Sequence, residues 1–331
     1  MRASAVGSWP GTHPLEAART VMGELGRPDA VPHLVELPAR GPGADMIGRA
    51  AVLLVDMPVD LQPSGWRLTD HAGRDLSRAV SLMTEDLDAL AEAADGYAGP
   101  LKVAVAGPVT LAADVWLPRG ERAVSDAGAR RDVADSLAEG LARHVADVRR
   151  QVPGAEVVVQ LDEPSLPTVL AGRLPTISGF GRLPVVEAQE AENALRRVLE
   201  AAVGAGATET VVHCCAPDVP LGLLRDAGTR GIGVDVSLLA SMGWESVAVA
   251  VEAGLTLWAG AVPTSGALPT AQHVADAVAV PWRRVGLPAA DMASVVLTPT
   301  CGLAGAPPDA ARAILTRVRE ATDALAETAS A

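Results

Sequence analysis

Short β-rich runs alternate with helical stretches along almost the whole chain. Eight such runs can be counted, at residues 3–8, 31–37, 101–106, 156–162, 208–215, 231–236, 256–262 and 294–298. Between them, helical periodicity predicts helices over 121–152, 185–204, 220–227, 244–253, 270–285 and 308–328. In the second of these, Ala194, Leu195, Val198, Leu199 and Ala202 fall on one face. Eight strands alternating with helices predict a (β/α)8 TIM barrel rather than an open doubly wound sheet. Aromatic residues make up only 2% of the chain, so the core must be built from Ala, Val and Leu. That composition suits parallel strands covered by helices. A length of 331 residues fits a single barrel domain over 1–331. One Gly/Pro-rich insertion is expected at roughly 56–75, between the second and third strands. Within it, GWRLTDHAGRDL reads as a small hairpin on the barrel's top.

Charge narrows the partners. The net charge is -13 and Lys102 is the sole lysine. Such a surface repels nucleic-acid phosphates and anionic lipid, so neither nucleic acid nor membrane is expected as a partner. The longest apolar runs, such as 50–55, are far too short to span a bilayer. Three cysteines cannot build a disulfide framework, and MRASAVGSWPGTHP carries no apolar leader, so a reducing, cytoplasmic location is expected.

In a barrel of this kind the chemistry sits where strands end. The expected ends carry Val6-Gly7-Ser8, Gly107-Pro108-Val109-Thr110, Gln160-Leu161-Asp162-Glu163, His213-Cys214-Cys215, Asp235, Pro263-Thr264-Ser265 and Thr300-Cys301-Gly302. Side chains alternate along a strand, so His213 and Cys215 point together while Cys214 points away. A His-x-Cys pair offers two corners of a zinc tetrahedron, and Cys301 can supply a third. Imidazole and thiolate select zinc over magnesium or calcium. The competing reading is a satisfied core histidine beside buried, inert thiols.

These motifs resemble the catalytic domain of cobalamin-independent methionine synthase, in a short form without the N-terminal barrel of the long enzyme. AVGSWP looks like that family's Ile-Gly-Ser-Phe-Pro opening, VAGPVTL its Gly-Pro-Val-Thr motif, and VVQLDEPSL its Gln-Ile-Asp-Glu-Pro-Ala-Leu strand end. HCC and TPTCGL complete the set, in the same order, across residues 3 to 303. The resemblance implies a zinc-dependent methyltransferase that moves a methyl group to the thiolate of homocysteine, giving methionine. By the same carry-over His213, Cys215 and Cys301 hold Zn2+. Asp235 stands where the family has a glutamate ligand. Asp162 is the catalytic acid that holds the substrate amino group, and Val6, Gly7 and Ser8 hold its carboxylate end.

The sequence departs from the family at several points. Arg40 stands roughly where a second substrate-binding glutamate belongs, with Glu36 as a substitute from the strand end. The loop VPTSGALP offers Thr264 and Ser265 in place of a proton-donating histidine. The folate-stacking tryptophan aligns with Asp114, with Trp116 two residues on. The expected acceptor is homocysteine or a related thiol, and the expected donor a corrinoid protein, or folate with a partner. Other readings are a different thiol alkyltransferase, a uroporphyrinogen decarboxylase-like barrel, and a non-catalytic zinc- or partner-binding remnant. Glu163 is expected to face the helices, opposite to Asp162. His13, His33, His71, His144 and His273 have no ligand spacing, and Lys102 is expected at the barrel bottom, away from any Schiff-base chemistry.

Overall fold

The computed structural model describes residues 1–330. Its strands are β1 (Arg2–Ser4), β2 (Ala30–Val31), β3 (Val59–Gln62), β4 (Gly65–Leu68), β5 (Gly99–Ala106), β6 (Ala155–Asp162), β7 (Glu209–Cys214), β8 (Gly231–Asp235), β9 (Thr256–Val262) and β10 (Val296–Pro299). Eight of them form one sheet in the order β2-β1-β10-β9-β8-β7-β6-β5, each pair parallel. The two edges meet: Leu34 N–H donates to the Lys102 carbonyl and Lys102 N–H to the Pro32 carbonyl, both at 2.8 Å. The sheet is therefore a closed (β/α)8 barrel, as the alternation of elements predicts.

The helices are α1 (Pro14–Leu25), α2 (Met46–Val52), α3 (Arg74–Ala93), α4 (Pro108–Asp114), α5 (Ala127–Gln151), α6 (Leu166–Leu170), α7 (Ala188–Gly204), α8 (Leu221–Asp226), α9 (Ser241–Glu252), α10 (Ala271–Arg284) and α11 (Pro308–Ser330). Local chemistry sets several starts. Pro14 opens α1, where a missing N–H costs nothing. Asp126 accepts from Ala129 N–H at 2.8 Å and caps α5. That cap corrects the helix expected over 121–152, because a 3-10 turn at Ala123–Ser125 precedes it. The inserted hairpin is β3–β4, with Val59 opposite Leu68 and Gln62 opposite Gly65. It lies nearer the chain start than GWRLTDHAGRDL suggests, since Arg74 onward is already α3.

The barrel interior is layered. Val31, Val158, Val211, Trp258 and Val296 form a separate buried cluster across the early strand positions. Period-two alternation then places Gln160 and Asp162 above Val158 on β6, and His213 above Val211 on β7. The register sets Asp162 beside His213. An apolar plug thus closes the bottom, and polar groups emerge toward the strand ends. Among the described residues, no helix is long and apolar enough to cross a membrane.

Candidate active site

A cavity of about 400 Å3 opens at the strand ends, lined among others by Val6, Gly7, Ser8, Glu36, Asp45, Met46, Asp162, His213, Cys215, Cys301 and Gly302. These residues come from the ends of five barrel strands and the loops that follow. A groove of about 440 Å3 elsewhere lies between α4, α5 and α7 and carries ion-paired arginines rather than convergent chemistry.

The soft donors meet here. Cys215 Sγ and Cys301 Sγ are 3.3 Å apart, although 86 residues separate them. The hydrogen bond between the two sulfurs holds the Cys301 thiol below its usual range, helped by the Gly302 N–H. Cys215 is pushed up, first by that same hydrogen bond and then by burial. Cys214 is fully buried and does not line the cavity, as its position between two inward residues requires. Its thiol is raised to about 12 by burial.

His213 is buried, and its Nδ1 lies 2.8 Å from Asp162 Oδ1. Asp162 Oδ1 also accepts from Gln160 Nε2 at 2.8 Å. The carboxylate therefore orients the imidazole, with Nε2 as the nitrogen left for a ligand. Asp235 is placed differently. Its carboxylate accepts from Ser237 N–H at 2.9 Å and Ser237 Oγ at 2.6 Å, closing its own turn, and it does not line the cavity. Among the described residues no three His, Cys, Asp or Glu side chains sit as a ready-made ligand set. The donor chemistry still fits zinc: two free thiols with their sulfurs 3.3 Å apart, and an imidazole held by a carboxylate.

Two acids frame the cavity. Glu36, which sequence reasoning offered only as a substitute, is 5% exposed. Its Oε1 has no hydrogen-bond partner among the described residues, and Arg49 Nε stands 3.8 Å away. Burial raises its carboxyl to about 7, against the pull of Arg49. The only sequence signal for Glu36 is its place at the end of the second β-rich run. Ser8 pairs with Glu36 across the strands, and Trp9 N–H donates to the Glu36 carbonyl at 2.8 Å. Ser8 also meets the Cys301 turn: its carbonyl accepts from Leu303 N–H at 3.0 Å. A Cβ on Gly302 would lie 2.1 Å from Ser8 Oγ, so a larger residue there would have to turn the Ser8 hydroxyl away.

Glu163 faces away from the cavity, as strand alternation predicts. It accepts from Val109 N–H, Thr110 N–H and Thr110 Oγ1, capping α4. Arg40 is not a substrate group: it pairs with Asp86 and Glu85, and Arg49 shares the same Asp86. Trp116 is 6% exposed, its Nε1 donates to the Ser64 carbonyl at 2.8 Å, and Arg67 and Arg122 flank its ring. Thr264 and Ser265 do not line the cavity. Lys102 corrects the sequence expectation: it is fully buried inside the barrel, and its Nζ reaches the Val6 carbonyl and Gln160 Oε1.

Comparison with known proteins agrees with this picture. A family model described as the cobalamin-independent synthase catalytic domain matches residues 1–324. A B12-independent methionine synthase from Shewanella sp. W3-18-1, solved in complex with selenomethionine, superposes with a TM-score of 0.62 at 13% identity, covering 99% of this chain and 98% of that one. A putative vitamin-B12 independent methionine synthase from Listeria monocytogenes gives 0.56 at 15% identity, covering 98% of each chain. At these identities the structures speak for the fold alone. No curated protein matches the sequence.

Proposed function

The chain belongs to the family of cobalamin-independent synthase catalytic domains and is a methyltransferase, and on that premise we propose that it methylates the thiolate of homocysteine to give methionine. One observation carries the reading. His213, Cys215 and Cys301 line a single cavity together with the buried acids Asp162 and Glu36. Soft donors suit zinc, and paired acids suit the ammonium of an amino acid. The Shewanella protein is described with selenomethionine, the selenium counterpart of the product proposed here.

His213, Cys215 and Cys301 would hold Zn2+, with Asp235 at the end of β8 as the fourth donor through the carboxylate oxygen that Ser237 does not use. Bound there, zinc supplies the Lewis acidity that keeps a substrate thiol deprotonated near neutral pH. The protein's own groups do the rest. Asp162 and Glu36 hold the substrate ammonium from two sides. Val6, Gly7 and Ser8 form the wall for its carboxylate end, and the Cys301-Gly302 turn fixes Ser8. Methyl transfer then forms a C–S bond from the sulfur lone pair as the donor–methyl bond breaks, and the donor keeps the bonding pair.

The donor is proposed to be a methylated corrinoid protein, or folate brought by a partner, rather than free folate polyglutamate. Trp116 is walled in by the β3–β4 hairpin and two arginines, so it offers no open face for a pterin. Arg40 and Arg49 are neutralised by Asp86 and Glu85, which removes a basic patch for a glutamate tail. The test is methionine formation by the zinc-loaded protein with homocysteine and methylcobalamin or methyltetrahydrofolate. No methionine with any donor, from protein that holds zinc, overturns the reading.

A further inference from the structure

The one lysine of this acidic chain is buried at the centre of the barrel. An ammonium there is costly unless all its donors are satisfied. Lys102 Nζ donates to the Val6 carbonyl at 2.6 Å and to Gln160 Oε1, and it lies 5.7 Å from the Trp258 ring centroid. Two oxygens and a π face thus surround it. It sits between the apolar plug beneath and the substrate cavity above.

An ammonium has no acceptor, so only the carbonyl oxygen of Gln160 can face it. That choice turns Nε2 of Gln160 the other way, where it donates to Asp162 Oδ1 at 2.8 Å and to the Val6 carbonyl at 3.0 Å. Asp162 Oδ1 is then an acceptor for Gln160 and for His213 Nδ1. Facing a carboxylate, His213 carries its proton on Nδ1. Lys102 sets the first orientation in this line of hydrogen bonds, which runs through Gln160 and Asp162 to the imidazole. The Val6 carbonyl, bonded by both Lys102 and Gln160, is pinned by the same pair.

We propose that Lys102 is a positioning residue of the site, acting through Gln160 and Asp162 to fix His213 as the Nδ1-protonated tautomer and to hold the Val6 turn beside it. This deepens the function proposed above and rests on it for its catalytic meaning, but the hydrogen-bond order stands by itself. Without Lys102 the Gln160 amide can reverse and turn its carbonyl oxygen toward the Asp162 carboxylate, an acceptor against an acceptor, which pushes Asp162 off His213 Nδ1 and releases the imidazole from a single tautomer.

The test is 15N NMR of the imidazoles in the metal-free protein, with the His213 signals identified by their loss in His213→Gln. In the native chain His213 shows one tautomer, with Nδ1 protonated. Lys102→Met, close in length and apolar, is expected to give averaged tautomers. Gln160→Glu keeps an acceptor for Lys102 but removes the N–H donated to Asp162, and is expected to do the same even if Lys102→Met fails to fold. Zinc affinity, measured separately by chelator competition, is expected to fall about 10- to 100-fold in either variant, as for other groups that orient a metal ligand. The double variant Lys102→Met/Gln160→Met should be no worse than the more damaging of Lys102→Met and Gln160→Met made singly. A native-like His213 tautomer in folded Lys102→Met or in Gln160→Glu overturns the proposal, as does additivity in the double variant. If the native protein binds no zinc, the functional reading fails while the tautomer measurement still decides this one.

Discussion

His213 and Asp162 are registered partners on adjacent parallel strands, and their side chains meet at 2.8 Å between Nδ1 and Oδ1. Fifty-one positions separate them in the chain. The contact makes one carboxylate serve both the proposed metal ligand and the proposed substrate ammonium, and it decides which nitrogen of the imidazole faces outward.

Metal analysis of purified protein should find about one zinc per chain, the count expected for a single zinc site. Cys215→Ser and Cys301→Ser should lose it. Cys214→Ser should keep it, because that side chain is buried on the other face of β7. Full zinc retention in both of the first two variants would exclude the site.

Asp162→Asn should weaken homocysteine binding by about 1.5–3 kcal/mol, the scale of a hydrogen bond to a charged group. Glu36→Gln should weaken it in the same direction, since Glu36 Oε1 is buried with no hydrogen-bond partner among the described residues. Isothermal calorimetry with homocysteine, and with an analogue lacking the amino group, distinguishes the two sides. Equal losses for both ligands would separate these acids from the ammonium.

Lys102 has its ammonium lowered from 10.5 to about 8, chiefly by burial and against the attraction of Asp162 and Glu36. Between those values the unfolded chain binds a proton that the folded chain does not, so native stability should rise with pH across that window. His33, buried beside Lys102 and itself lowered to about 3, stays neutral there. Lys102→Met should lack the rise. Chemical denaturation at a series of pH values compares the two slopes, and parallel curves would contradict the assignment.

Single-turnover methionine formation should be slow with methyltetrahydrofolate alone, in mono- and polyglutamyl forms, because the Trp116 ring is enclosed and Arg40 and Arg49 are already paired. Methylcobalamin at matched concentration, or methyltetrahydrofolate with a partner protein, should be faster. Fast turnover with methyltetrahydrofolate and no added protein would refute the donor assignment.

Glu163→Gln should destabilise the protein by about 1–3 kcal/mol, the cost of leaving buried donors unmatched. Its carboxylate takes three hydrogen bonds at the start of α4, and an amide would turn its own N–H groups toward them. Thermal unfolding measures the loss. An unchanged melting temperature would mean that α4 does not depend on this cap.

The sequence by itself determined the barrel, because alternation of strand and helix periods is a local property repeated eight times. It also determined which way His213, Cys214 and Cys215 point, since period two needs only the strand's existence. Its limits lay where local signals are weak. The strand ends at Ser8 and Glu36 meet in a single bridge rather than a long ladder, and only the closed barrel brings them together. Asp235 reads as a ligand by position, and only the fold shows that its Oδ1 accepts from Ser237, two residues on. Lys102 reads as a residue near the barrel bottom, yet its four-carbon stem carries the charge upward to Gln160. Register, reach and competition for hydrogen-bond donors are settled between distant segments. Tertiary structure alone decided that Glu36 faces the cavity, that Trp116 does not, and that a buried lysine stands behind the Asp162 carboxylate.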